Sequence, residues 1–133
     1  MNYKEDTVYA LELKLTKDTL GKLGFTNKPI EKRITGFRFT GTLRGLENDI
    51  QKVFISKSLI AKAVEDVAHQ IAKKRGYKSV DNANLGNGRS EWYFATGQQL
   101  KSCILQAYNV IKKDLVKNAK QLKRDIKRGN SCW

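Results

Sequence analysis

Alternating apolar and polar side chains predict β-strands in the first half of the chain. Val8–Thr16 places aromatic and aliphatic residues on one face and charged residues on the other, which is the period-two pattern of a half-buried strand. Thr35–Arg44 repeats this pattern, with its phenylalanines on one face and Arg38 and Arg44 on the other. Ile50–Ser56 is predicted to be the return strand of a hairpin, although its apolar residues would also suit a helix.

Between the first two of these strands, only a short turn and a loop are predicted. Gly21 and Gly24 limit the length of a turn over Leu20–Leu23, because glycine weakens the interior of a regular element. Asn27–Pro29 has the composition of a loop.

Helical periodicity dominates the second half of the chain. Leu59–Arg75 carries an apolar stripe at three- and four-residue steps and is followed by Gly76, a natural terminator. Thr96 and Gln99 have the spacing of a capping box, which predicts the start of a second helix. That helix continues to Arg128, a run of about thirty residues and about 45 Å.

Two short strands are predicted between the helices, at Tyr77–Val80 and Glu91–Ala95, with a polar loop over Asp81–Ser90. With only Glu91–Ala95 counted between the helices, the element order is β-β-β-α-β-α. Residues 1–133 are predicted to form a single α+β domain. Its small antiparallel sheet is covered on one face by two helices, of which the C-terminal one is long and basic.

Residues 116–133 are predicted to project from the domain as a basic helix end and tail, because apolar residues become sparse beyond Leu115. Three interpretations stay open: a solvated helix with a narrow docking stripe, an arm for nucleic acid or a membrane surface, and pairing with a second copy. The residues expected to form such a homodimer contact are Ile111, Leu115, Leu122 and Ile126.

Positive charge is the most informative property of the composition. The 133 residues include 26 Lys and Arg against 13 Asp and Glu, a formal net charge of +13. Residues 1–66 carry 12 basic and 9 acidic side chains, whereas residues 67–133 carry 14 and 4. Charge of one sign concentrated in this way attracts polyanions, and the footprint is typical of nucleic-acid-binding proteins.

The candidate binding residues are mainly basic side chains of the last helix, of the segment around residue 75 and of the second strand. Arg89 and one aromatic residue close to it in the sequence complete the set. Trp92 and Phe94 share one strand face and are expected in the core. Tyr93 points to the opposite face and is expected to stack on a base. The complete set is Arg38, Arg44, Lys73, Lys74, Arg75, Arg89, Tyr93, Lys112, Lys113, Lys117, Lys120, Lys123, Arg124, Lys127 and Arg128.

Catalytic chemistry has little support in the sequence. His69 is the only histidine, and Asp66 three positions earlier is the one carboxylate considered as its partner. The cysteines, 29 positions apart, lack zinc-site spacing, and no cofactor is expected. The acidic set considered for a Mg²⁺-dependent nuclease is Glu47, Asp49, Glu65 and Asp66.

These observations favour a non-enzymatic nucleic-acid-binding protein that grips the phosphate backbone through a basic helix and a basic sheet face, with DNA or RNA left open. The alternative is a small inhibitor or adaptor, such as an accessory counter-defence protein of a phage or mobile element, binding an acidic protein surface or a ribonucleoprotein. A nuclease ranks third. Short apolar runs and the lack of a signal-peptide pattern indicate a cytoplasmic protein with no membrane partner.

Overall fold

Four antiparallel strands form the centre of the fold, in the spatial order β3-β1-β2-β4. The computed structural model describes residues 5–86 and 91–127. The predicted binding residues Arg89 and Arg128 lie outside these ranges. The strands are β1 (Asp6–Lys14), β2 (Thr19–Thr26), β3 (Gln51–Ser58) and β4 (Trp92–Tyr93).

Three α-helices accompany the sheet: α1 (Ile30–Thr35), α2 (Ala61–Lys74) and α3 (Gly97–Lys127). Short 3-10 turns occur at Gly41–Leu43, Leu46–Asp49 and Ala83–Leu85. The predicted α+β class, the small antiparallel sheet and the two covering helices with a long basic last helix are therefore confirmed. The expected strand at Tyr77–Val80 is reduced to a single bridge between Ser79 and Tyr93.

The sheet separates two apolar clusters because successive side chains of a strand point to opposite faces. On one face, Val8, Ala10 and Leu23 pack with α2 and α3. On the other face, the neighbouring side chains of β1 pack with residues from the segment 30–50 and from the region of Leu85 and Trp92. The helices cover one face as predicted, and the segment 30–50 covers the other.

The predicted strand at Thr35–Arg44 is wrong, although its alternation is real. Phe37 and Phe39 are each 4 % exposed and pack onto the sheet. The backbone groups, however, bond elsewhere: the N–H of Phe39 donates to the Glu47 carboxylate at 2.8 Å, and the N–H of the next residue donates to the Asn84 carbonyl at 2.9 Å. These contacts hold the segment in place, so that it buries its aromatic side chains without forming the backbone hydrogen bonds of a β-sheet.

The strand β2 replaces the short turn predicted near residue 20, and two glycines explain the error. A Cβ on Gly21 would lie 2.7 Å from the Ala95 carbonyl oxygen and from the Leu100 side chain. A Cβ on Gly24 would overlap the ring of Tyr9 on the paired strand. Both glycines are therefore sites of close packing within a strand rather than points where the strand ends.

Candidate nucleic-acid interface

The first half of α3 is anchored in the core. Leu100, Cys103, Ile104 and Ala107 are fully buried. Its N-terminus has the predicted reciprocal capping box: the N–H of Gln99 donates to Thr96 Oγ1 at 3.1 Å, and the N–H of Thr96 donates to Gln99 Oε1 at 2.8 Å. The position and direction of the helix are thus set by the sheet before its exposed half begins.

Beyond Ile111 the helix leaves the core. Residues 112–127, here called the arm, have exposed side chains apart from Asp125, which is half-buried. At about 1.5 Å per residue the arm is about 24 Å long. It carries seven basic side chains against two acidic ones. The basic residues are Lys112, Lys113, Lys117, Lys120, Lys123, Arg124 and Lys127.

The basic face of the arm contains an open groove of about 490 Å³. Five cationic side chains line this groove together with Asn109 and Val116: those of Lys112, Lys113, Lys117, Lys120 and Arg124. An apolar stripe follows a different side of the arm through Leu115, Leu122 and Ile126, which are 59 %, 41 % and 55 % exposed. The arm therefore presents a cationic surface and an apolar surface in different directions.

The basic residues at the end of α2 divide into two kinds. Lys73 and Lys74 are exposed in the last turn of the helix. Arg75 instead bridges to α3, where its guanidinium donates to Ser102 Oγ at 3.1 Å and to Gln106 Oε1. These hydrogen bonds brace α2 against the anchored half of α3, so that Arg75 is held away from the arm.

The predicted basic sheet face is wrong because Arg38 and Arg44 lie on no strand. The Arg38 guanidinium donates to the carbonyl of Thr35 at 2.6 Å and to that of Phe37 at 3.1 Å. It therefore stabilises the chain after α1. Arg44 is exposed after a 3-10 turn. Neither arginine is on the same element as the arm.

The predicted roles of two neighbouring aromatic residues are reversed. Tyr93, expected to be exposed for stacking, is 0 % exposed, whereas Phe94, expected in the core, is 50 % exposed. Trp92 is buried as expected. Because both faces of the sheet are covered, consecutive residues Trp92 and Tyr93 are both buried on opposite faces. The strand ends at Tyr93, and Phe94 is then no longer held against either cluster.

Tyr93 and His69 belong to a partly buried polar chain. Burial raises the pKa of Tyr93 to about 12, so its hydroxyl keeps the proton, and the hydroxyl oxygen is hydrogen-bonded with His69 Nδ1 at 2.6 Å. His69 Nε2 lies 3.6 Å from Glu65 Oε2, and Lys62 Nζ lies 2.8 Å from Glu65 Oε1. Burial raises the pKa of Glu65, but its hydrogen bonds to His69 and Lys62 outweigh burial and hold the pKa below its usual value.

This arrangement differs from the catalytic pair considered in the sequence. Glu65, not Asp66, is the carboxylate beside the imidazole, and both ring nitrogens face groups of the protein. Glu47 is held in place by the N–H of Phe39, which keeps the pKa of that carboxylate below its ordinary value. Within residues 5–86 and 91–127, no group of three or more His, Cys, Asp and Glu side chains converges to hold a metal ion.

No helix in the described ranges is both long enough and apolar enough to cross a membrane. Comparisons with protein-family models, with curated proteins and with solved structures found no match to this chain.

Proposed function

We propose that this protein binds nucleic acid without chemical conversion, holding the phosphate backbone through the basic groove of the arm. One observation carries the proposal: seven cationic side chains, opposed by two acidic ones, are gathered on a helix segment that leaves the core. Like charges at such spacing repel one another and destabilise an exposed helix. A polyanion along the groove would remove that repulsion and release its own counterions.

The body of the protein contributes less to the proposed interface than expected from the sequence. Lys73 and Lys74 are exposed and available for phosphate contact, whereas Arg38 and Arg75 are engaged in hydrogen bonds within the fold. Phe94 replaces Tyr93 as the aromatic residue accessible to a base, since it is half exposed. The proposal places the protein inside the cell, where nucleic acid is present.

Fluorescence anisotropy with labelled DNA and RNA, single- and double-stranded, tests the proposal over a series of salt concentrations. If all seven basic residues of the arm contact phosphates, the slope of log K against log[salt] is about −5 to −6. The variant K117E/K120E/R124E is expected to lose at least about tenfold in affinity, since each substitution replaces attraction by repulsion.

The matched control is K17E/K28E/K57E, which changes the net charge equally at exposed positions outside the arm. It is expected to retain most of the affinity. Equal losses in the two variants would mean that net charge, not the arm, governs binding. If the wild-type protein bound none of the four polymers at low salt, the proposal would be wrong, and the adaptor for an acidic protein surface would take its place.

A further inference from the structure

We infer that the free edge of β3 is a docking surface for an extended segment of another protein, with acidic, aliphatic and acidic side chains at alternate positions. This surface is separate from the arm, and the inference does not depend on the proposed function. β3 is the last strand on its side of the sheet, and no strand of residues 5–86 and 91–127 lies beyond it. Every second residue of an edge strand directs its backbone N–H and C=O away from the sheet, and these groups recognise another strand.

The opposite side of the sheet is closed by the chain itself. Beyond β4, the N–H of Val80 donates to the Trp92 carbonyl at 2.8 Å, and the N–H of Phe94 donates to the Lys78 carbonyl at 2.9 Å. A short segment therefore already pairs with the backbone of β4. β3, in contrast, offers a ligand eight residues, a length of about 26 Å.

Three exposed side chains of β3 form one row along this edge. Lys57, Ile55 and Lys52 pair with three alternate residues of β1, at positions 7, 9 and 11. Residues directly opposite one another share a face of the sheet, so these three side chains point to the same side. Lys52 joins the row because the strand bulges at Val53. The edge therefore displays a cation, an aliphatic side chain and a cation at regular steps along the sheet.

The two faces of this edge differ in the space they leave for a docked strand. On the face of the row, a cavity of about 570 Å³ is lined in part by Ile55, Lys57 and the first two residues of α1. On the opposite face, α3 covers the strand, and Ser56 Oγ is hydrogen-bonded with the Tyr108 hydroxyl at 2.8 Å. A docked strand would therefore be recognised mainly by side chains that it directs toward the row.

Charge decides which strand fits the row. Lys52 already attracts a carboxylate, since its Nζ lies 3.2 Å from Glu31 Oε1 in an ion pair whose two side chains are 45 % and 67 % exposed. Exposed ion pairs are weak, so an incoming carboxylate can share this lysine or replace Glu31. Glutamates opposite Lys52 and Lys57, with valine opposite Ile55, complement the row, because opposite charges and β-branched side chains pair favourably across strands.

A second copy of β3 fits the row less well. Antiparallel pairing centred on Ile55 would place Lys57 of each copy opposite Lys52 of the other, since both lysines are two steps from the centre. Like charges directly opposite one another destabilise a sheet, and lysines on an edge strand discourage its pairing with identical strands. The same lysines attract an acidic strand.

The inference is tested by fluorescence anisotropy of the labelled peptide TETVTET with the full-length protein, at one salt concentration. Its glutamates and valine have the spacing of the row. The control peptide ETTVTTE has the same composition, but its glutamates lie on the face opposite to the valine. TETVTET is expected to bind at least about threefold more tightly. Equal affinities would mean that charge alone attracts the peptide and would overturn the inference, as would the absence of saturable binding.

Backbone methylation tests whether the peptide binds as a strand. Two versions of TETVTET carry one methyl group, on the nitrogen of the third or of the fourth residue. Only alternate N–H groups of a docked strand bond to β3. One version is therefore expected to lose at least about fivefold in affinity and the other to stay within about twofold of the parent peptide. Equal effects of the two methyl groups would contradict strand pairing.

Protein variants locate the binding site on β3. K52Q/K57Q is expected to bind TETVTET at least about threefold more weakly. The control K73Q/K74Q removes the same charge at exposed positions of α2 and is expected to keep the affinity. K52E/K57E is expected to prefer TKTVTKT over TETVTET, and circular dichroism verifies the fold of each variant. Equal losses in K52Q/K57Q and K73Q/K74Q would show that the peptide does not bind at this edge.

Discussion

Lys22 lies in surroundings that are unusual for a lysine, a residue that is rarely buried. It lies on β2, is 0 % exposed, and its Nζ is 2.9 Å from Glu91 Oε2. The same nitrogen lies 5.2 Å from the ring centroid of Phe37 and 5.6 Å from that of Trp92. Burial lowers the pKa of Lys22, and the Glu91 carboxylate only partly offsets this effect. The ion pair therefore links β2 to Glu91, the residue before β4, at the apolar cluster that contains Phe37 and Trp92.

The two partners of this pair are expected to respond unequally to substitution. E91Q removes the compensating carboxylate from a buried cation and is expected to lower the free energy of unfolding by about 3 kcal/mol. K22M removes the buried charge, and Glu91, whose side chain is 30 % exposed, keeps access to water; the expected loss is about 1 kcal/mol. Urea unfolding of both variants and of K22M/E91Q measures the difference. A larger loss in K22M than in E91Q would contradict the expectation.

At the scale of elements, the sequence predicts a helix or strand well where the periodic pattern of apolar residues is continuous along the segment. The helices α2 and α3 and the strands β1 and β3 were predictable for this reason. The strand β2 was not, because Gly21, Lys22 and Gly24 disguise its alternation although each is buried in the sheet. The alternation of Thr35–Arg44 is misleading in the opposite way, since burial of two phenylalanines does not require a strand partner.

The same contrast applies to the candidate interface. The charge and phase of the last helix can be read from sequence, since they depend only on helical periodicity. Which aromatic residue is exposed depends on where β4 ends and on the cover of both sheet faces. Both depend on contacts between residues far apart in the sequence, and the exchanged roles of Tyr93 and Phe94 follow from these contacts.

Gly24 provides a test of the packing that defines β2. The variant G24A is expected to lower the free energy of unfolding by about 2–3 kcal/mol, because its Cβ would overlap the Tyr9 ring on β1. The control G36A is expected to change it by less than about 1 kcal/mol, since the nearest atom would be 3.3 Å away and the backbone there is helical. Thermal unfolding followed by circular dichroism compares them. Equal effects would mean that close packing at Gly24 is unimportant.

At the scale of the whole molecule, the apolar stripe of α3 has two environments. Its upstream members, including Leu100 and Ile104, pack on the chain's own sheet, whereas Leu115, Leu122 and Ile126 are exposed. If the arm of a second copy packed on this stripe in parallel, the first half of its α3 would run into the space that the first copy's sheet occupies. An antiparallel pair of arms avoids this overlap and brings Ala119, a small residue beside the stripe, close to its symmetry mate.

Self-association through this stripe is expected to strengthen with salt, in contrast to nucleic-acid binding. Both arms are positively charged, and salt screens their repulsion. Light scattering is expected to give a higher mass at about 0.5 M than at about 0.1 M salt for the wild type. L115D/L122D is expected to stay monomeric at both, whereas the control V110D, on another side of α3, should follow the wild type. A monomeric mass for the wild type at both concentrations would contradict the pairing.

The continuity of α3 has a mechanical consequence. Residues 98–127 contain neither glycine nor proline, the usual causes of a sharp bend in a helix, and Arg75 braces the anchored half. The arm and the anchored half of α3 therefore form one stiff, continuous helix that is fixed to the rest of the domain. When the arm binds a ligand, the rest of the domain is held at a fixed distance from that ligand and at a fixed angle around the helix axis. Each residue inserted into α3 would rotate the domain by about 100° around that axis.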